Sequence, residues 1–259
     1  MGFLTDLVAE IRRDLDRNPL DDGTLLARSL AMPPTRDLAA ALRGRVPAVI
    51  AEVKRASPSA GLIADRDPAA QAGAYAAAGA AAVSVLTERR HFGGALADLR
   101  AVRTAVELPV LRKDFLVHPS QLIESRASGA DAVLLITAAV TPAELSALLA
   151  TARDLGLGVL LETHSEGDLD VALATDAVVI GVNARDLESL EVDPVAARGR
   201  LARIPPDRIA VLESGIASRR DVRAAVEAGA SAILVGEALM RATDPVAALR
   251  ALLGEESHR

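Results

Sequence analysis

Eight short apolar runs recur through this chain, near residues 48–53, 81–86, 109–112, 131–136, 158–162, 177–182, 208–213 and 231–235. Most are apolar at every position, as expected of parallel strands covered on both faces. Helical stretches separate them, opened by start signals such as Asp67-Pro68, Thr141-Pro142 and Ser218. With seven intervening helices and a last one at 244–253, the pattern counts to a (β/α)8 TIM barrel. The rival arrangement is a doubly wound open sheet. It expects Gly-x-Gly-x-x-Gly after the first strand, and none follows Val53.

A weak internal echo supports the barrel. Ala78-Gly79-Ala80, Ser128-Gly129-Ala130 and Ala228-Gly229-Ala230 each join a helix end to a strand. Glycine there can take the left-handed cap conformation. Residues 1–45 read differently. Leu4, Leu7, Val8, Ile11 and Leu15 fall at helical spacing up to Asn18-Pro19, and a shorter helix is expected around Arg36–Leu42. The chain is expected to be one barrel domain spanning 1–259, with 1–45 an N-terminal helical extension packed on it.

Composition narrows the function classes. A hydrophobic content of 51% supports a sizeable core, and no apolar run of about 18 residues suggests a membrane span. The amphipathic, acidic start is unlike a signal peptide. With no cysteine, disulfides, thiolate metal sites and a cysteine nucleophile are excluded. A net charge of −6 argues against nucleic acid. A cytoplasmic protein with no membrane partner is expected, monomeric, with a weak dimer as the alternative.

Among 29 Lys+Arg, lysine occurs only at Lys54 and Lys113. Arginine stays charged, whereas a lysine ammonium is compact and its pKa shifts readily on burial. The two lysines therefore mark places that need a point-like or titratable cation. Lys54 shares a strand face with Glu52, because side chains alternate along a strand. In a barrel the chemistry sits where strands end and βα loops begin. The other polar strand ends are Arg112-Lys113-Asp114-Phe115, Glu162-Thr163-His164, Asn183 followed by Arg185, Glu213-Ser214-Gly215 and Gly236-Glu237. Phe92 and Phe115, two of only three phenylalanines, follow strand ends and are expected to face a ligand. His91, His118 and His164 lack metal-ligand spacing, so capping or solvated roles are expected. Glu88, Asp114 and Asp186 are expected to orient a loop or a neighbouring cation, and Arg89-Arg90 to be a solvated charge pair.

The last two strand ends have bare backbone at Ser214-Gly215 and Gly236, followed by a short extra helix before Asp244-Pro245. Two glycine loops with a helix N-terminus suit a phosphate.

Together these motifs resemble the indole-3-glycerol phosphate synthase family over nearly the whole chain. The most specific pieces are Ala51-Glu52-Val53-Lys54-Arg55-Ala56-Ser57-Pro58-Ser59, Ser84-Val85-Leu86-Thr87, Arg112-Lys113-Asp114-Phe115, Gly181-Val182-Asn183-Ala184-Arg185-Asp186-Leu187 and Glu213-Ser214-Gly215-Ile216. The resemblance implies a lyase of tryptophan biosynthesis that closes the indole ring of 1-(2-carboxyphenylamino)-1-deoxyribulose 5-phosphate with loss of carbon dioxide and water. It implies Lys113 as general acid, Glu162 as general base and Glu52 as a support for proton transfer. Lys54 and Ser57 would hold substrate anions, and Asn183 and Arg185 the anilino and carboxylate end. Glu213 would hold Arg185 or Lys113 in place. Phe92 and Phe115 would line the aromatic pocket, and Ser214, Gly215, Gly236 and the Glu237 backbone would bind phosphate. Glu237 departs from the family, where serine is frequent, so its side chain is not expected to contact the anion. No cofactor is implied. On elementary grounds, ring closure onto a ketone needs a proton donor, and a lysine among like charges and apolar walls can have its pKa lowered towards neutrality. The alternatives are another phosphate-binding barrel, such as an Amadori-type sugar-phosphate isomerase, or a non-catalytic paralogue.

Overall fold

The computed structural model describes residues 2–255. Its strands are β1 (Ala48–Val53), a short hairpin of β2 (Ala56–Ser57) and β3 (Gly61–Leu62), β4 (Ala82–Leu86), β5 (Val110–Lys113), β6 (Ala132–Ile136), β7 (Gly158–Thr163), β8 (Val179–Asn183), β9 (Ile209–Glu213) and β10 (Ala232–Val235). All but the hairpin form one closed parallel barrel in the order β1-β4-β5-β6-β7-β8-β9-β10, with β10 pairing back onto β1. The chain is therefore a (β/α)8 barrel with helices before its first strand.

Alternation along each strand separates two cores. On β1, Val49, Ala51 and Val53 face the helix ring with Tyr75 and Leu99, while Ala48 and Ile50 face inward with Leu134, Leu160, Val211 and Leu234. Ile50 is fully buried, and burying such a side chain stabilises the fold by roughly 1.5–3 kcal/mol. Both faces of every strand are thus apolar, which is why the sequence runs do not alternate. The inward register ends in polar residues at the strand C-termini: Glu52, Lys113, Glu162, Asn183 and Glu213.

The helices begin where their capping residues stand. Asp67, Thr141 and Ser218 accept hydrogen bonds from the first turns of α4 (Pro68–Ala77), α7 (Pro142–Asp154) and α10 (Arg219–Glu227). Gly79, Gly129 and Gly229 all take φ near +90 to +104°, as the helix-to-strand echo requires.

The N-terminal segment holds α1 (Phe3–Arg17), α2 (Asp22–Leu30) and α3 (Leu38–Arg43). Sequence periodicity missed α2, because Leu26 and Leu30 are exposed and no apolar stripe repeats. α3 starts later than expected: Asp37 caps it, and the Arg36 N–H donates to Asp131 at 2.9 Å. Leu38 and Leu42 of α3 are 1% exposed and close the base of the barrel beside Ala48, Val179 and Ile209. α1 lies at the opposite end. Its Leu4 N–H donates to Leu187 O (3.1 Å), and its Glu10 and Asp14 pair with Arg90. Arg90 was expected to be solvated. It is exposed, but it fastens α1 to the loop after β4.

Among the described residues, no helix is long and apolar enough to cross a membrane.

Candidate active site

A cleft of about 980 Å³ opens at the C-terminal ends of the barrel strands. Every residue singled out above for catalysis, substrate or phosphate lines it: Glu52, Lys54, Ser57, Phe92, Lys113, Phe115, Glu162, Asn183, Arg185, Glu213, Ser214, Gly215, Gly236 and Glu237. They come from seven of the eight barrel strands or the loops after them.

At the centre stands Lys113, at the end of β5. Its ammonium lies 3.0 Å from Glu162 Oε2 and 3.4 Å from Glu213 Oε2. Its side chain is 15% exposed and both carboxylates are 1% exposed. Burial opposes its charge most strongly, yet the fields of Glu162, Glu213 and Glu52 together outweigh it and hold the lysine pKa well above its ordinary value. This corrects the expectation of a lysine lowered towards neutrality. The neighbours that decide the sign are acids, not cations.

The two acids split in opposite directions. Burial disfavours charge on both. For Glu162 the positive field of Lys113 and the His164 contact win, so its pKa lies well below the usual carboxylate range. For Glu213 burial and the negative charge of Glu162 win, so its pKa lies well above that range. The pair is thus pulled apart, Glu162 towards the carboxylate and Glu213 towards the carboxylic acid. Two buried acids whose pKa values are pushed apart beside one ammonium are the raw material of acid–base chemistry.

Glycines make room for these acids. A Cβ on Gly181 of β8 would meet Glu213 Oε1 at 2.2 Å, and one on Gly236 would meet Glu52 Oε1 at 2.4 Å. Glu52 is turned to Lys54, with Nζ 2.8 Å from Oε1, as same-face placement on β1 predicts. Asn183 Nδ2 donates to Glu162 Oε1 (3.2 Å), and its Oδ1 accepts from the Arg185 N–H (2.9 Å). The Arg185 guanidinium donates to Leu190 O (2.8 Å). Of the two cations proposed for Glu213, it is Lys113 that the acid faces.

Behind the cleft, buried Arg112 binds Asp114, Glu124 and Ser125 and so steadies the strand that carries Lys113. Asp114 also accepts from Thr87 Oγ1 (2.5 Å). Glu88 accepts from the N–H groups of Arg90, His91 and Phe92, and Asp186 from those of Glu188 and Ser189. Each of these acids orients a loop or a cation, as expected.

The aromatic wall is larger than expected. Phe92 lies 6.1 Å from Phe115, and Phe3 of α1 meets Phe115 edge-on at 6.4 Å, so all three phenylalanines of the chain converge there. Phe3 was missed because its helix precedes the barrel by some forty residues. Rarity was the available signal.

On the opposite wall, Ser214 (φ +65°) and Gly215 (φ +72°) are successive left-handed residues directly after β9. For serine this conformation costs on the order of 1–2 kcal/mol, so the turn is imposed by the fold. Gly236 caps α11 (Glu237–Arg241), and Glu237 pairs with Arg241 at 3.0 Å.

His118 caps α6 (Pro119–Ala127), and His91 is exposed and edge-on to Phe3. His164 departs from expectation: its side chain is 7% exposed and its Nε2 lies 3.0 Å from Glu162 Oε1. Two-residue spacing from Glu162 was the signal that could have placed it. Among the described residues, no cluster of three or more histidines and acids is disposed to hold a metal ion.

Comparison with known proteins adds the family. The sequence model of the family described as "Indole-3-glycerol phosphate synthase" matches residues 4–252. An indole-3-glycerol phosphate synthase of a Nocardioides species is 50% identical, the match covering 99% of this chain and 100% of the relative. "Indole-3-glycerol phosphate synthase 2" of Streptomyces coelicolor is 48% identical, over 98% and 99% respectively. Among solved structures, a tryptophan synthase α-subunit from Pyrococcus furiosus superposes with a TM-score of 0.63 at 16% identity. The superposition covers 81% of this chain and 99% of that one, a likeness of fold alone. With a matched model across almost the whole length and relatives near half identity, the chain belongs to the indole-3-glycerol phosphate synthase family.

Proposed function

We propose that this chain catalyses indole-ring closure of 1-(2-carboxyphenylamino)-1-deoxyribulose 5-phosphate, giving indole-3-glycerol phosphate, carbon dioxide and water. The single observation that carries the reading is the Lys113 ammonium set between Glu162 and Glu213 at the mouth of a barrel cleft.

Lys113 is the general acid. As the aromatic carbon attacks the ketone, the carbonyl oxygen becomes an alkoxide. An alkoxide is a stronger base than an amine, so it takes the proton even from an ammonium held by carboxylates. Charge on the lysine beforehand also stabilises the developing oxyanion. Carbon dioxide then leaves and the aromatic ring is restored. In the dehydration, Glu162 is the base; it is ionised, buried and fixed by Lys113 and Asn183. Glu52 keeps Lys54 in place and adds to the field on Lys113.

The binding roles follow from position. Phe92 and Phe115 give the anthranilate ring an apolar, edge-rich wall. Lys54 and Ser57 hold the substrate anions, and Asn183 and Arg185 meet the anilino and carboxylate end. Backbone N–H groups at Ser214, Gly215 and Gly236 take the phosphate. Glu237 is occupied by Arg241, so at that position only its N–H is offered. The same reading has the enzyme acting as a cytoplasmic monomer, which size-exclusion chromatography checks in part.

The test is an indole-fluorescence assay on purified protein with no added metal or cofactor. Wild type is expected to turn over, and Lys113→Met to lose roughly 100- to 10,000-fold in kcat, the usual worth of a positioned acid. Equal rates in both would remove Lys113 as the acid, and an inactive wild type would sink the assignment. An Amadori-type isomerase would instead interconvert aminoaldose and ketose phosphates, which the same preparation can be offered.

A further inference from the structure

We propose that His164 is a positioning residue for Glu162: its imidazole N–H holds the carboxylate as an oriented base through the moment when Lys113 has given up its proton. The inference rests on the reading above.

β7 runs into Glu162-Thr163-His164. Thr163 turns away from the interior and donates its hydroxyl to Gly181 O (2.8 Å), so Glu162 and His164 share the other face. His164 Nε2 lies 3.0 Å from Glu162 Oε1. The backbone that carries the ring is fixed. The His164 backbone N–H donates to Asp168 Oδ2 at 3.0 Å, and Asp168 also closes the capping box of α8 (Glu166–Leu173) with Ser165.

The two ring nitrogens face different surroundings. Both are buried without a well-aligned hydrogen bond among the described residues, but only Nε2 stands 3.0 Å from a carboxylate oxygen. A proton on Nδ1 would have no acceptor to turn to, whereas one on Nε2 has a carboxylate oxygen 3.0 Å away. In this proposal Nε2 is the nitrogen that turns its N–H onto Glu162, a bond that a small rotation of the ring completes when the substrate closes the site.

That contact matters because of how the donors divide. Glu162 Oε2 is held by Lys113 and Oε1 by Asn183, and His164 Nε2 stands 3.0 Å from Oε1. When Lys113 protonates the substrate, the charge on the Oε2 side disappears, while the Oε1 side keeps its donors. Glu162 is then required as a base for the second half of the reaction. The charged and titratable groups around this pair are Lys113 on β5, Glu213 on β9, Glu52 on β1 and Asp186 in the loop after β8.

The test compares wild type, His164→Leu, His164→Gln and His164→Asn by kcat, KM, the pH profile of kcat and thermal melting. Glutamine can place an amide N–H near the Nε2 position; asparagine is too short. His164→Leu is expected to lower kcat about 10- to 100-fold, the worth of one hydrogen bond to a charged group, with KM changed less than about threefold. Its acid limb is expected to move to higher pH, because a carboxylate that loses a donor holds its proton more tightly. His164→Gln is expected to restore most of both; His164→Asn is not. An active wild type with His164→Leu unchanged in kcat and acid limb would overturn the inference alone. So would equal slowing in the glutamine and asparagine variants, which also decides the matter if the leucine variant fails to fold. An inactive wild type would overturn the functional reading and this inference with it.

Discussion

Replacing Lys113 by methionine removes the one ammonium that faces Glu162 and Glu213, two side chains that are 1% exposed. Methionine fills similar volume, so the packing loss is small and the electrostatic loss dominates. In the wild type, Glu162 is ionised because Lys113 pulls its pKa well below the usual range. Without that charge, burial and the neighbouring acid push Glu162 the other way, and the folded variant binds one proton more than the wild type. The unfolded chain releases that proton above about pH 4.3. From there upward, the variant loses stability relative to wild type by about 1.4 kcal/mol per pH unit until Glu162 finally ionises. Between pH 5 and 8 the loss is bounded by about 4 kcal/mol, close to the roughly 3–5 kcal/mol cost of leaving a buried charge unpaired. For a chain of this size that corresponds to roughly 8–16 °C in Tm. Urea denaturation at several pH values measures it, and Lys113→Met/Glu162→Gln is expected to recover most of the loss. A stability difference that stays flat from pH 5 to 8 would refute the claim that Lys113 sets the charge on Glu162.

Other perturbations probe separate parts of the site. Gly181→Ala places a Cβ 2.2 Å from the present position of Glu213 Oε1, so the acid must move; turnover is expected to fall at least about tenfold, while Tm drops only a few degrees because one side-chain terminus gives way. Gly215→Asp adds a carboxylate and a Cβ to a residue at φ +72°; KM is expected to rise more than kcat falls, and an unchanged KM would mean that the phosphate sits elsewhere. Glu144, which pairs with Arg12 of α1 and closes the capping box of α7 with Thr141, has its carboxyl lowered from 4.5 to about 2, chiefly by the Arg12 hydrogen bond. A folded pKa below the unfolded one gives stability that is present above pH 4.5 and is lost as pH falls through about 2. Melting curves of Glu144→Gln are therefore expected to be flatter than wild type across that window.

The site was legible in the sequence to the extent that it lies at strand ends. A closed barrel brings all its strand C-termini to one rim, so a polar residue at such an end needs no knowledge of its partners to be placed there. That geometry carried Glu52, Lys113, Glu162, Asn183 and Glu213 into a single cleft. Features without a repeat or a strand end were not legible. α2 has no apolar stripe, β2 and β3 are two residues each, and Phe3 reaches the cleft only because α1 folds back over it. An isolated histidine past a strand carries no pattern of its own, so the sequence predicts only a solvated or capping role for His164.

By itself the sequence determined the strand and helix alternation, the capping residues that start the helices, the rare lysines and the glycines at helix ends. These depend on neighbours within a few residues, through side-chain periodicity and local hydrogen bonds. Only the tertiary structure decided the protonation of the site. Whether Lys113 is raised or lowered, and which way Glu162 and Glu213 are each shifted, depends on charges that stand 49 or more positions away in sequence but 3.0–3.4 Å away in space. Coulomb fields and desolvation act through distance and burial, and neither is defined until the barrel closes.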